Sequence, residues 1–564
     1  MTPPRSEAPA TTFSVALLDQ LITLGVTDIV LGPGSRSQAL ALAAAEFERI
    51  GTVRLRVRVD ERVGGFLALG LAVETGRPVV ILTTSGTAVA NLHPAVLEAH
   101  HSGVPLIVIT ADRPEALRGV GSNQTTDQPG IFGTAVQRSW DIGAPSGEPG
   151  EADAASRLAR DAYAAAASGP VHLNLAFAEP LSSPVTLPEP AVTVAEPTSV
   201  VELPEIPRPG LDELDRRDAL TLHPAPGTVV VAGTGAGERA EEVARQLGAP
   251  LLAEVASGAH FGPNLVVAYR ELLNAANFGD RVARVIVFGH PTLSREVPAL
   301  IQRDGVETIV VRGASADDYN PGRRVRTFAD DVVVASNDAA LEADRAWVGR
   351  WVSTSRRLIE DVDQAPDVSA DPGEHARAEL AAVRAPVTRR TLVEAVWRST
   401  WPHDRLVLGA SRLIREADKV VAGKRVPVHA NRGLAGIDGT ISTALGIALA
   451  SQAAGDRGTT RVLLGDLAFL HDVGALLFGV GEPAPRIQVI VGNDNGGTIF
   501  DGLEVAATAG EGFERVLLTP QRASIELIAS AYGWDYLRVD TRGQLDQALT
   551  ASTRPTIVEV PLDR

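Results

Sequence analysis

Short apolar runs alternate with amphipathic or Ala-rich stretches along most of the chain. Residues 28–31, 79–83, 106–110, 228–232, 285–288, 308–311, 461–464 and 487–491 are of strand length and are bounded by Gly, Pro and Asp. Uninterrupted apolar runs of this kind predict parallel strands buried on both faces. With helical stretches between them, they predict α/β units rather than hairpins. Two stretches break the rhythm. Residues 183–210 are Pro-rich without helical period, and residues 361–385 are charged and Ala-rich with two prolines and room for a short helix. Read as seams, they divide the chain into three α/β domains at 10–190, 205–365 and 385–564, each of ordinary domain size.

Composition narrows the picture. Aromatic residues make up only 4% of the 564, so Val, Leu, Ile and Ala must fill the cores. A net charge of −17 argues against a nucleic-acid-binding face, which needs a basic stripe. It does not exclude anionic substrates, because a pocket can be basic on an acidic protein. The chain has no cysteine, which removes disulfides, Cys-ligated zinc, iron–sulfur clusters and thiol catalysis. The first residues lack the apolar core of a signal peptide, and the most apolar runs are too short to cross a bilayer. No integral membrane segment and a cytoplasmic location are the expectation.

The strongest local motif lies in the third domain. The strand 461–464 runs into Gly465-Asp466-Leu467-Ala468, a helical run follows, and the next strand ends in Gly492-Asn493-Asp494-Asn495-Gly496-Gly497. Acidic residues at the carboxyl ends of parallel strands sit where open α/β sheets bind ligands. N–H groups opening a helix suit a diphosphate. Two carboxylates and a carbonyl make a hard-oxygen site for Mg²⁺, which shares phosphate and water oxygens. Taken singly, Asp466 reads equally well as a helix cap and 493–495 as a turn. Their spacing, one strand–helix–strand unit, joins them.

This pair resembles the diphosphate–metal signature of thiamine diphosphate enzymes. The resemblance implies metal ligands Asp466, Asp494 and the Gly496 carbonyl, holding Mg²⁺ or Mn²⁺, with Leu467 and Ala468 at the diphosphate. Two departures stand out: Leu467 replaces the usual second Gly, and Asp494 replaces the usual Asn, leaving Asn493 as the fallback ligand. In the first domain, Glu61 in Asp60-Glu61-Arg62-Val63-Gly64-Gly65 opens a Gly-rich helix. By itself it is an acid favoured by the helix dipole. In this class it becomes the buried carboxyl that activates the aminopyrimidine, with Thr84 and Gly86 of the polar turn 83–88 beside it.

Several arginines stand at strand ends, mostly beside Gly, as guanidinium recognition of carboxylates requires. They fall in Gly32-Pro33-Gly34-Ser35-Arg36-Ser37, Thr110-Ala111-Asp112-Arg113-Pro114, Gly409-Ala410-Ser411-Arg412-Leu413-Ile414-Arg415 and Asn431-Arg432-Gly433. With Gly433-Leu434-Ala435-Gly436-Ile437-Asp438-Gly439, the whole set resembles the SEPHCHC synthases in order and spacing. It is weakest in the middle domain.

The resemblance implies three doubly wound parallel-sheet domains of the thiamine diphosphate-binding fold: pyrimidine, central and diphosphate. It implies a transferase of menaquinone biosynthesis, in which 2-oxoglutarate loses CO₂ and the remaining unit adds to isochorismate. Ile437 would bend the cofactor, and Ser411, Arg415 and Arg432 would hold the succinyl carboxylate. Ser35, Arg36, Arg113 and Gln124 would hold isochorismate, and Ile499 and Phe500 would wall the pocket. Arg323 and Arg324 would add a further carboxylate contact. It also implies a homodimer or dimer of dimers (a homotetramer), with each site between two chains. The alternative is another 2-oxoacid lyase using the same cofactor, of acetolactate-synthase or aryl-oxoacid-decarboxylase type. A third feature, Gly233-Thr234-Gly235-Ala236-Gly237 with Glu254 some twenty residues on, imitates a dinucleotide loop, but position 238 is Glu and the fingerprint is incomplete.

Overall fold

The computed structural model describes residues 8–188, 219–335, 341–360, 372–550 and 553–564. Every predicted strand forms, several longer by one or two residues. The first sheet contains β1 (Asp28–Leu31), β2 (Arg54–Val57), β3 (Val79–Thr83), β4 (Leu106–Asp112), β5 (Ser139–Ile142) and β6 (Val171–Ala176). The central unit has the short pair β7 (Leu220–Leu222) and β13 (Val332–Val334). Its main sheet has β8 (Thr228–Ala232), β9 (Leu251–Ala253), β10 (Arg284–Phe288), β11 (Glu307–Val311) and β12 (Thr327–Ala329). The third sheet contains β14 (Arg405–Leu408), β15 (Val428–His429), β16 (Thr460–Gly465), β17 (Ile487–Asn493), β18 (Asp535–Arg538) and β19 (Thr556–Pro561).

Among the described residues every strand pairing in these sheets is parallel, as the continuous apolar strands require. The first sheet runs β2-β1-β3-β4-β6-β5 and the third β15-β14-β16-β17-β19-β18. These are one topology used twice. Each reverses direction of winding beside its first strand, which opens a crevice at the carboxyl ends. The loop after β1 and the turn after β3 flank the first crevice, and Gly409 and Asp466 flank the third.

The central sheet, β12-β11-β10-β8-β9, has the same kind of crevice, but it is filled. A Cβ on Gly233 would lie 2.1 Å from the Pro291 nitrogen. Thr234 and His290 exchange backbone hydrogen bonds of 3.2 and 2.9 Å across it. The dinucleotide-like loop is therefore closed by its own neighbour. Of the two seams, 189–210 and 361–371 lie outside the described residues, and the second contains the helix Pro372–Arg384.

Two helices join the first unit to the third. The helix Glu61–Thr75 begins at Asp60, whose carboxylate accepts from the N–H groups of Arg62 (2.9 Å) and Val63 (3.3 Å), and it ends at left-handed Gly76. The helix Thr440–Ala453 begins after left-handed Gly439. Buried Asp472 holds its first turn, accepting from the Ser442 N–H and hydroxyl at 2.8 and 2.9 Å. Both helices are apolar nearly all round, as helices buried on every side are.

They cross at backbone contact. A Cβ on Gly70 would lie 2.0 Å from the Thr443 carbonyl oxygen, and one on Gly446 2.3 Å from that of Leu67. Around this crossing, Phe66, Leu67 and Leu71 share one continuous core with Ile441, Leu445 and Ile447. Among the described residues no helix is long and apolar enough to cross a membrane.

In an exposed helix interior, Gly→Ala stabilises by about 1 kcal/mol. Gly70→Ala here should do the reverse, because the added methyl meets a carbonyl that cannot move alone. Thermal unfolding checks this: a lowered midpoint is expected, and a raised one would contradict the crossing.

Candidate functional site

The first crevice gathers most of the residues expected there. Glu61 opens its helix just past β2, beneath the loop that follows β1. A Cβ on Gly32 would come within 3.0 Å of the Glu61 Cγ and 3.2 Å of the Thr83 hydroxyl, so the loop lies close above the carboxylate. Asn91 Nδ2 donates to Glu61 Oε2 at 3.5 Å. Within the chain Glu61 is half-buried rather than buried, since its helix end faces outward. Gly34 lies on Thr84, where its missing Cβ would be 2.3 Å from the Thr84 Cβ.

Beside them, buried Arg113 donates Nη1 to the Ser85 hydroxyl and, at 2.6 Å, to the Gln124 carbonyl. Gln124 adopts a left-handed φ of 53° and returns its amide to the Ser85 carbonyl at 3.1 Å. Gly86 donates its N–H to Gln128 Oε1 at 3.1 Å. Arg36 donates Nη1 to the Phe177 carbonyl at 2.9 Å, and its Nε is buried with no partner among the described residues. Burial first, and then the nearby Arg36, lower the pKa of Arg113. Two neighbouring guanidiniums of this kind suit an anion. Ser35 is exposed at the loop tip. Gly86, Thr87, Gln124 and Ile131 line an open pocket to which only the first unit contributes.

The third crevice holds the acidic pair. Asp466 is the first residue of the short helix Asp466–His471 and is buried. Its pKa is pushed up to about 6, first by burial and then by Asp494, against the pull of N–H groups including those of Leu467 and Gly496. Its Oδ1 has no partner among the described residues. Asp494 Oδ2 accepts from Arg389 Nη2 (2.8 Å) and Nε (3.3 Å), and from the Thr498 hydroxyl.

Asn493 is turned away. Its Nδ2 donates to Glu559 at 2.7 Å and its Oδ1 accepts the Asn495 N–H at 3.1 Å, which leaves Asp494 as the side chain facing Asp466. Gly496 takes φ 140°, and a Cβ there would lie 2.3 Å from the Leu518 carbonyl. Leu467 is half-buried and Ala468 buried at the helix start, so a side chain in place of the second Gly fits against the fold. Ile499 and Phe500 are half-buried on the turn Thr498–Gly502.

The donor set suits a hard cation. Among the described residues no three His, Cys, Asp or Glu side chains converge, so a self-sufficient protein cage is absent. Two carboxylates, one with an orphaned oxygen, and a Gly carbonyl fit an ion that completes its shell from phosphate and water.

A third cluster lies where the central and third units meet. Arg415 donates Nη1 to the Ser411 carbonyl at 2.8 Å, and the Ser411 hydroxyl is buried with no partner among the described residues. Arg432, 3% exposed, donates Nε and Nη2 to the Thr292 hydroxyl at 2.9 and 2.7 Å, while its Nη1 is unpaired among the described residues. Ile437 is exposed on the loop before the Thr440–Ala453 helix.

Arg323 and Arg324 belong to no cluster: Arg324 pairs with exposed Asp304 at 2.8 Å, and Arg323 occupies a left-handed turn. Arg389 was missed altogether. Its signal was an Arg-Arg pair in a helix first turn, where the dipole disfavours cations.

The family described as "Thiamine pyrophosphate enzyme, N-terminal TPP binding domain" matches residues 11–131, the span of the first crevice. The 2-succinyl-5-enolpyruvyl-6-hydroxy-3-cyclohexene-1-carboxylate (SEPHCHC) synthase of Leifsonia xyli subsp. xyli is 59% identical over 100% of this chain and 98% of its own. The chain belongs to the SEPHCHC synthase family. The synthase of Clavibacter michiganensis subsp. michiganensis is 57% identical over the same shares, 100% and 98%. Thiamine diphosphate is thus the cofactor of the family whose motifs the chain carries, and the lyase alternative is not favoured. A solved benzoylformate decarboxylase from Polynucleobacter necessarius covers 98% of each chain with a TM-score of 0.65, and at 17% identity it shows the fold alone.

Proposed function

We propose that the protein binds thiamine diphosphate with Mg²⁺ or Mn²⁺, decarboxylates 2-oxoglutarate and adds the four-carbon remainder to isochorismate, giving SEPHCHC for menaquinone biosynthesis. The observation that carries the cofactor half is the buried Asp466 with its orphaned oxygen facing Asp494 at the third crevice. Asp466, Asp494 and the Gly496 carbonyl would hold the metal, with the N–H groups at Leu467 and Ala468 toward the diphosphate. When bound, the cofactor supplies the electron sink for decarboxylation. Arg389 balances the extra charge that Asp494 brings in place of Asn.

The chain's own groups do the rest. Glu61 would hold a proton against the aminopyrimidine ring, with Asn91 beside it. Arg432 Nη1, Arg415 and the Ser411 hydroxyl would take the distal carboxylate of 2-oxoglutarate. Arg36 and Arg113, with Gln124, would take the carboxylates of isochorismate. Ile499 and Phe500 would keep water from the reacting carbon. Because the first crevice is lined by its own unit alone, we place the third crevice of a second copy over it, in a homodimer or dimer of dimers.

The direct test is CO₂ release from 2-oxoglutarate by protein loaded with thiamine diphosphate and Mg²⁺, with and without isochorismate. Release matched by isochorismate loss is expected. Glu61→Gln should lower turnover by about 100-fold or more. Release from pyruvate or an aryl oxoacid alone would overturn the substrates and keep the cofactor.

Metal affinity should depend on acid. Asp466 holds its proton up to pH of about 6, and a ligand must be deprotonated. Affinity for Mg²⁺ should therefore weaken as pH falls through that value. Calorimetry at pH 5.5 and 7.5 checks this, and equal affinities would contradict Asp466 as a ligand.

A further inference from the structure

Glu254, at the end of β9, imitates the ribose-binding acid of a dinucleotide fold, yet the structure uses it elsewhere. It is 2% exposed, and its Oε1 accepts two backbone N–H groups, from Thr292 at 2.7 Å and Leu293 at 2.5 Å. Thr292 in turn accepts Arg432, through its hydroxyl at 2.9 and 2.7 Å and its carbonyl at 3.1 Å. The backbone on the other side of Arg432 is fixed by the first unit, where Glu98 accepts the N–H groups of Gly433 (2.7 Å) and Leu434 (2.9 Å). Arg432 is thus clamped from both sides, with one nitrogen left over.

The neighbouring chain segment is tied to the same place. The Val255 N–H donates to Asp418 Oδ1 at 2.5 Å, and Asp418 Oδ2 accepts Tyr269 OH at 2.8 Å and Arg270 Nη2. Arg270 also reaches the Leu293 carbonyl at 3.2 Å. Asp418 lies on Arg412–Val420, the helix that carries Arg415 one turn earlier.

We propose that Glu254 is a positioning residue: through the Thr292–Leu293 turn it aims Arg432 at the substrate carboxylate, so that the central unit sets the direction of an arginine of the third. This rests on the reading of Arg432 as a substrate arginine. Burial, and next Asp418, push the Glu254 pKa up to about 8, opposed by the Leu293 and Thr292 N–H groups and by Arg432. Gln is its close replacement: the amide oxygen still accepts both N–H groups.

The test compares KM for 2-oxoglutarate and for isochorismate in holoenzyme carrying Glu254→Gln, Glu254→Met, Thr292→Val or Arg432→Met. Glu254→Met and Thr292→Val should each raise KM for 2-oxoglutarate by about fivefold or more, with KM for isochorismate within about twofold. Glu254→Gln should stay within about twofold for both. Adding Glu254→Met to Arg432→Met should cost no more than Arg432→Met alone. A merely structural Glu254 would lower the unfolding midpoint without separating the two constants. If Arg432→Met raises KM for 2-oxoglutarate but neither Glu254→Met nor Thr292→Val does, the positioning role is wrong and the substrate reading stands. If Arg432→Met leaves it unchanged, the substrate reading fails and the inference with it. Should Glu254→Met not fold, Thr292→Val decides.

Discussion

The structure depends on two helices whose backbones touch. Gly70 and Gly446 each leave no room for a methyl group, so the helices Glu61–Thr75 and Thr440–Ala453 cross closely, and the cores of the first and third units become one. Dispersion and apolar burial reward such an approach, because every side chain around the crossing gains packed neighbours. The consequence for function is positional. Each helix starts at a site: Glu61 begins one, and the Arg432–Gly439 loop leads into the other. The crossing sets the angle between these two starts.

A repeated topology explains how one fold serves two chemistries. The first and third sheets share a strand order, and both place the loops of their candidate sites at the carboxyl ends beside the reversal of winding. The first crevice supplies a carboxyl group and guanidiniums; the third supplies paired carboxylates. The central sheet has the same crevice, but its His290–Pro291 backbone fills it, and its polar groups instead hold the loops of the third unit. A chain of net charge −17 accordingly carries locally cationic pockets, because the arginines are set among carbonyls and partly neutralised acids rather than free carboxylates.

What the sequence made legible was local. Strands appeared as apolar runs because parallel strands are buried on both faces, and Asp466 and Glu61 stood out because each sits at a strand-to-helix junction. Long-range partners were not legible. Arg389 reaches Asp494 across 105 residues, and no local pattern marks that pair. Glu254 looked like a nucleotide ligand because spacing cannot show that the crevice beside it is filled. Nor could the sequence show that Asn493 donates to Glu559, 66 residues away on a neighbouring strand. Arg323 and Arg324 looked useful only because charge alone does not reveal an exposed turn.

The central claim is that Glu61 and the paired aspartates act on one cofactor, although one chain holds them apart. Co-expressing a Glu61→Gln chain with an Asp466→Asn chain, each inactive alone, tests it most directly. If the site is built between copies, each mixed pair contains one intact site. Purified mixed dimers should then regain CO₂ release from 2-oxoglutarate. Mixed dimers that assemble but remain inactive would contradict the account.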